Sequence, residues 1–512
     1  MRSTAVVGAM TLLSRILGFV RDMVIARSFG ADGATDAFFA AFRIPNFLRR
    51  LFAEGSFAQA LMPALAGFHE AGDRDGLKSF LDRAAGSLAV LLAAITAVGT
   101  LAAPLLILAF APGFIGQPDQ ADLGGRLLAL LLPYLFFVTL TAFAGGVLNT
   151  LGRFAIPAVT PAVLNLTMIA AAWWLAPRLA EPITALAYGV LLAGLLQLAI
   201  QLTALASAGL LPQPRLGFRD PDVQRLLRHM APAVFGLSVT QVNLLVDTLA
   251  ASFLVSGSVS WLYYSDRLVE FPLGIFGVAI GTAVSPQLAK HHARQDAQGF
   301  SDAIDWALRW TLAIGLPATL GLMLLARPLM AALFQYDEFG EHDALMASRS
   351  LMTYAVGLVG FIAVKVLAPG FTAGHDVATP VRCGLEAMAC NALLAPLLAF
   401  WLAPQDWSHA ALTLATATAA LVNAALLYGR LRAAGIYRPR PGWTGFASRM
   451  LAANLAMAAF LLAPAIADRE LATPVQRLEH LALAITGAMA VYGTCLWLSG
   501  LKVRHLLLAE RN

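Results

Sequence analysis

Charged side chains recur in this chain inside stretches otherwise made of Leu, Ala, Val and Phe. The first stretch holds Arg15, Arg21 and Asp22, and the second holds Asp36, Arg43, Arg49, Arg50 and Glu54. Further along come Asp247, then Asp266, Arg267 and Glu270, then Lys365 and Glu386. On helices this spacing is informative. Arg15 and Asp22 share a face, Asp36, Arg43, Arg50 and Glu54 form one stripe, and Arg49 lies about 100° to the side of Arg50. Arg267 and Glu270 are neighbours. Arginine presents a planar fork of donors that grips phosphate bidentately, so arginines facing a cavity suit an anionic, phosphate-bearing cargo. The competing use is mutual pairing, in which the charges pin helices together. That use fits Asp36, Glu54 and Asp266 best. Ser14 and Thr35 sit among these groups. Ser14 is a candidate cavity residue, although hydroxyls in such helices more often bond to backbone.

The elements that position these groups are membrane spans. Of 512 residues, 59% are hydrophobic and 13% charged, about half the charge of a soluble domain. Mean hydropathy is +0.72. At ~20 apolar residues per span, the chain has room for at most about sixteen helices. The pattern predicts an all-α polytopic membrane protein with about fourteen transmembrane helices. Their expected limits are 3–28, 33–67, 79–112, 121–150, 156–177, 183–208, 225–254, 258–290, 302–326, 344–371, 380–402, 408–430, 444–466 and 478–500. The longest polar connection, 208–228, is too short to fold alone. Arg15, Arg21 and Asp22 interrupt the first apolar stretch, which predicts a retained helix rather than a cleaved signal peptide. Cys383, Cys390 and Cys495 all lie in apolar stretches and suggest neither a disulfide framework nor a zinc site. The net charge is +5, but it is the placement of the charges that informs, and no nucleic-acid partner is expected.

Lys and Arg set the direction. With the loops assigned alternately, about three of them fall on the side of Arg2 for every one opposite, which predicts cytoplasmic N- and C-termini. The basic tail, with Lys502, Arg504 and Arg511, must then share a side with Arg2, so the helix count is even.

The two halves repeat. Arg43 matches Arg267, Pro63 matches Pro286, and His69 matches His291. Gly76 matches Gly299, Asp82 matches Asp305, Gly152 matches Gly374 and Pro157 matches Pro380. Six expected helices separate the partners, so the copies share one orientation. This predicts two six-helix lobes in a parallel repeat, residues 1–210 and 211–433, followed by two further helices and a tail in 434–512. A duplicated bundle suits alternating access around a central cavity. No GxxxxGK[ST] loop is present, so the energy would come from an ion gradient, the membrane potential or the cargo's own gradient. Asp247, Glu386 and Asn391, with the threonines near 413–418, are candidate oxygen ligands for a small hard cation such as Na+; the same groups could instead be satisfied core polar residues.

Several runs resemble the MurJ (MviN) family. They are Ser14-Arg15-Ile16-Leu17-Gly18-Phe19-Val20-Arg21-Asp22, Thr35-Asp36-Ala37-Phe38, Pro45-Asn46 and Leu48-Arg49-Arg50-Leu51-Phe52-Ala53-Glu54-Gly55. Two more are Tyr263-Tyr264-Ser265-Asp266-Arg267-Leu268-Val269-Glu270-Phe271-Pro272 and Lys365-Val366-Leu367-Ala368-Pro369-Gly370-Phe371. The similarity is collinear over essentially the whole chain. It implies a lipid II flippase of peptidoglycan synthesis, in the MATE-like exporter (MOP) superfamily. The implied architecture is fourteen helices, with the last two forming an apolar groove to the cavity. The implied cargo is an undecaprenyl-pyrophosphate-linked muropeptide, moved from the cytoplasmic to the periplasmic leaflet of the inner membrane. Under the resemblance, Arg21, Arg49 and Arg267 grip the pyrophosphate, with Arg15 supporting and Asp22 nearby. Asp36, Glu54 and Glu270 match acids of the family's cavity region. Asp247 matches a position that ligates sodium in some members, whereas Glu386 and Cys390 stand near where an Asn and an Asp would be expected. Membrane lipids are implied neighbours, contact with the wall-synthesis machinery is an implied partnership, and a monomer is expected.

Three other readings compete. A flippase for another polyprenyl-linked oligosaccharide would share the cationic cavity, but the second-helix motif argues against it. A multidrug cation exporter needs an acidic, aromatic cavity. A polyprenyl-phosphate glycosyltransferase usually needs outward catalytic carboxylates and a sizeable soluble region, and neither is visible.

Overall fold

The computed structural model describes residues 2–49, 61, 65, 68, 73–228, 246–402, 406–463 and 473–500. Among them, eleven helices are long and apolar enough to cross a membrane. These coincide with the third to sixth and eighth to fourteenth expected spans. The first expected span is α1 (Arg2–Phe29), and the described part of the second is α2 (Gly33–Arg49). The rest of the second expected span, and much of the seventh, lie outside the described residues. The protein is an all-helical, polytopic membrane protein.

Prolines and short π-turns divide several spans into two pieces, because a proline removes one ladder hydrogen bond and a π-turn inserts a residue. The pieces after α2 are α3 (Arg74–Leu101), α4 (Ala103–Phe110), α5 (Pro118–Leu131), α6 (Pro133–Thr150), α7 (Ala155–Ala170) and α8 (Thr184–Ser207). Then come α9 (Ser258–Pro272), α10 (Val278–Ala293), α11 (Ala297–Leu324), α12 (Ala326–Leu333), α13 (Glu341–Ala355) and α14 (Leu358–Thr372). The chain continues through α15 (Ala378–Leu402), α16 (Ser408–Ala433), α17 (Trp443–Leu461) and α18 (Pro474–Leu498).

The chain forms two compact units, one of Met1–Ser260 with Tyr336–Phe339, the other of Trp261–Gln335 with Gly340–Asn512. In the first, α1 packs on α7, α7 on α8, α6 on α8, and α2 on α5. Its apolar core includes Leu61, Leu65, Phe80, Leu81, Phe143 and Val147. In the second, α15 packs on α16, α14 on α16 and α11, and α17 on α18 and α11.

The repeat is visible in the helix bounds. Arg74 and Leu101 bound α3, and Ala297 and Leu324, each 223 positions later, bound α11. The starts are capped alike. The Asp73 carboxylate accepts from the Gly76 amide at 2.8 Å, and the Asp296 carboxylate accepts from the Gly299 amide at 2.8 Å. A Cβ on Gly76 would stand 2.0 Å from Asp73 Oδ2, and one on Gly299 would stand 2.3 Å from Asp296 Oδ2. A side chain at either matched glycine would crowd the capping carboxylate.

The next repeated pair is a clamp. Asp82 of α3 accepts from the Gln213 amide at 2.7 Å and holds the polar connection after α8. Asp305 of α11, 1% exposed, holds the connection after α16. Its Oδ1 accepts from Tyr437 Oη at 2.9 Å, from Trp443 Nε1 at 2.7 Å and from the Arg440 amide at 3.1 Å. Its Oδ2 pairs with Arg309 Nε at 2.8 Å. The Tyr437 phenol is raised above its ordinary pKa, first by burial and then by donating to Asp305. It stays neutral and keeps its proton in that bond.

Candidate functional site

On α1, Arg21 and Asp22 are buried, at 7% and 1% exposure. Arg21 Nε and Nη2 donate to Asp22 Oδ1 at 2.9 and 2.6 Å. Arg21 Nη1 donates to Asn165 Oδ1 of α7 at 3.1 Å. Asn165 Nδ2 then donates to the Ser14 carbonyl at 3.0 Å. One asparagine thus ties two levels of α1 to α7 and fixes the plane of the Arg21 guanidinium. The helical face shared by Arg15 and Asp22 does not produce a pair. Asp22 is taken by its sequence neighbour Arg21, and Arg15 is exposed with no ion-pair partner among the described residues. Ser14 contributes through its backbone carbonyl. Sequence reasoning missed Asn165, whose signal was a lone carboxamide in the fifth expected span.

On α2, Arg49 is half-buried, and its Nε and Nη2 donate to Asn46 Oδ1 one turn earlier, at 3.1 and 2.8 Å. The Asn46 carboxamide thus holds this guanidinium in a fixed plane. Arg43 donates to Thr248 Oγ1, a helix-pinning contact. Asp36 is 2% exposed. Its Oδ2 accepts from the Gly257 amide at 2.7 Å, and its Oδ1 accepts from the Ser260 amide at 2.8 Å and the Ser260 hydroxyl at 2.6 Å. These are donors of the first turn of α9, so Asp36 serves as a cap supplied from another helix. Arg50 and Glu54 lie outside the described residues.

On α9, Arg267 Nη1 pairs with Glu270 Oε2 at 2.7 Å, as their spacing predicts. Arg267 Nη2 donates to Tyr263 Oη at 3.1 Å, and the guanidinium carbon stands 4.7 Å from the Tyr263 ring centroid. The ring and the carboxylate hold the guanidinium from two sides and leave its side chain 23% exposed.

The three groups expected around a small cation are placed differently. Asp247 is half-buried in the first unit. Asn391, buried in the second, accepts from Thr416 Oγ1 at 3.4 Å. Glu386 is exposed, and its carboxylate is engaged by Arg430 of α16. This ion pair engages one of the three groups considered for a cation. The partner is 44 residues away and not evident from spacing. Among the described residues, no three His, Cys, Asp or Glu side chains gather as a metal site.

The family described as "Lipid II flippase MurJ" matches residues 25–473. The chain is 44% identical over 469 residues to the probable lipid II flippase MurJ of Vibrio cholerae, covering 90% of this chain and 88% of that protein. It is 40% identical over 515 residues to the lipid II flippase MurJ of Burkholderia cenocepacia, covering 98% of both. The chain belongs to the MurJ family. A solved structure described as a lipid II flippase MurJ in an inward closed conformation superposes with a TM-score of 0.76 at 22% identity, covering 96% of this chain and 98% of that one. An inward-facing MATE transporter of the MOP superfamily follows, with a TM-score of 0.66 at 15% identity over 84% of this chain and 98% of that one. The fold is thus shared by MurJ and MATE proteins. Each guanidinium held in a fixed plane presents N–H donors of the kind that bind anionic oxygens.

Proposed function

We infer that this protein is a lipid II flippase, a transporter and not an enzyme. It moves the undecaprenyl-pyrophosphate-linked peptidoglycan precursor from the cytoplasmic to the periplasmic leaflet by alternating access. The observation that carries the reading is the near-full-length identity to flippases of this name. The held arginines support it, with Arg49 and Arg267 half-buried and Arg21 buried. Arg21, Arg49 and Arg267 act on the pyrophosphate, with Arg15 as an exposed supporting cation. A cationic, wet path carries the head group, which is too polar to cross hydrocarbon unaided. The protein resides in the inner membrane with both termini cytoplasmic, works as a monomer, and meets the wall-synthesis machinery where lipid II is used. The driving force is the membrane potential or a sodium gradient, and the Arg430–Glu386 ion pair engages one of the carboxylates considered for a sodium site.

The test is depletion in cells with lipid II access read from the outer face. Access should fall as the protein is lost. Unchanged access in cells with no other flippase overturns the reading.

A further inference from the structure

Lys365 lies in α14, seven residues before the helix ends at Thr372, within a membrane span. It is exposed, and among the described residues it has no hydrogen-bond or ion-pair partner. An unpaired ammonium against hydrocarbon is costly, so such a group faces water or reaches for the interface. Reaching the interface would require the chain to run toward the cytoplasmic end of α14, the near end for this residue. It runs the other way. A Cβ built on Gly281 would meet Lys365 Cβ at 3.7 Å, and one built on Gly277 would meet Lys365 Cδ at 3.4 Å. The rod formed by α9 and α10 ends beside Lys290, His291 and His292, the end that the inferred orientation puts on the cytoplasmic side. Gly277 is therefore one turn farther from the cytoplasm than Gly281. The lysine stem climbs along a track of two glycines toward the membrane interior. Helix geometry favours this, because the Cα–Cβ bond tilts toward the helix N-terminus.

Farther along the same rod stands Arg267. The rod continues from α9 through the π-turn Leu273–Gly277 into α10. Arg267 is ten residues beyond Gly277, roughly 15 Å at helical rise. Lys365 thus stands between the cytoplasmic end and the arginine, and π-turns of this kind recur at functional sites.

We propose that Lys365 is a cationic waypoint of the transport path, an anion subsite that receives the pyrophosphate between the cytoplasmic mouth and Arg267. The inference rests on the flippase reading. The residue types suit the two positions. Arginine holds a phosphate with a rigid fork, whereas lysine offers a compact, mobile point charge. A path conducts only when its intermediate sites bind without trapping.

The test uses the full-length protein in nanodiscs, with undecaprenyl pyrophosphate and uncharged undecaprenol as probes. Lys365→Gln should weaken binding of the pyrophosphate lipid about tenfold or more, the loss of one charge-assisted hydrogen bond, and leave undecaprenol binding unchanged. Lys365→Arg should restore most of the affinity. Equal binding of both probes by wild type and Lys365→Gln overturns the waypoint, as does a loss shared by both probes, which would mark a packing role. Failure of the wild-type protein to bind the pyrophosphate lipid overturns the flippase reading together with the waypoint. In a second arm, Lys365→Cys should react with an anionic, membrane-impermeant thiol reagent added to inside-out vesicles. A thiol that stays unreacted there, while alkylating from within the bilayer with a lipid-soluble maleimide, places the residue against lipid and overturns the proposal.

Discussion

Asp36 Oδ1 accepts two hydrogen bonds from Ser260, one from its amide at 2.8 Å and one from its hydroxyl at 2.6 Å. With Gly257 on Oδ2, the carboxylate satisfies two amides at the start of α9 and sits at the positive end of that helix dipole. Asp36→Ala strands those buried amides and should cost about 2–4 kcal/mol. Ser260→Ala keeps the amide bond and should cost about 1 kcal/mol. Thermal melts of the purified variants check the order. An Asp36→Ala protein that melts with wild type would show that this carboxylate is not what holds the helix start.

Asn165 positions Arg21 without offering a charge of its own. Asn165→Ala removes the bond to Arg21 Nη1 and the bond to the Ser14 carbonyl, while the Arg21–Asp22 pair remains. The expected result is a several-fold loss of affinity for the pyrophosphate lipid, since one neutral hydrogen bond contributes about 1 kcal/mol. Asn165→Asp should restore the grip on the guanidinium but add a negative charge, so it should bind the anionic lipid less well than wild type. Affinity at matched expression separates the two effects.

Arg49 is held in a fixed plane by Asn46. Arg49→Ala should abolish complementation of a depleted strain while the protein still accumulates in the membrane. Arg49→Lys should be only partly tolerated, because an ammonium cannot reproduce two parallel donors. At Arg267 the comparable test is Tyr263→Phe. It removes the hydroxyl acceptor but keeps the ring under the guanidinium, and should be milder than Tyr263→Leu, which loses both. Cation–π contacts of this kind contribute about 0.5–2 kcal/mol. Growth and flippase activity of the four variants check these orders.

The legible features follow local rules, and those that were not depend on the tertiary fold. Arg267 and Glu270 are three residues apart on one helix, and their pair could be read directly. The repeat was legible because Gly76 and Gly299, and Asp82 and Asp305, sit at matched caps and clamps rather than in general apolar sequence. Span positions followed from apolar length. Helical phase puts Arg15 and Asp22 on one face, but the Arg21 guanidinium on its long stem folds onto the adjacent Asp22 carboxylate, and phase does not encode that. The partners that cross between helices, Asn165 on Arg21, Arg430 on Glu386 and Asp36 on the first turn of α9, depend on which helices become neighbours. No periodicity within one segment carries that information.

The two clamps give an internal comparison. Asp305 holds four donors, one of them the Arg309 guanidinium, in a site 1% exposed. Asp82 holds the Gln213 amide and pairs with Lys78 on a more open surface. Asp305→Ala leaves the partly exposed Arg309 guanidinium and three donors without their acceptor and should destabilise by about 3–5 kcal/mol, since each stranded buried donor costs about 1–3 kcal/mol. Asp82→Ala should cost less, about 1–3 kcal/mol. Asp305→Asn keeps one acceptor oxygen and should fall between wild type and Asp305→Ala. The connection should also become accessible: chymotrypsin should cut after Tyr437 and Trp443 faster in Asp305→Ala than in wild type, because the Tyr437 and Trp443 side chains and the Arg440 amide lose their anchor. Protection of those bonds in the variant would mean that the Arg440–Asp302 ion pair and the packing of Trp443 against Arg309 hold the connection by themselves.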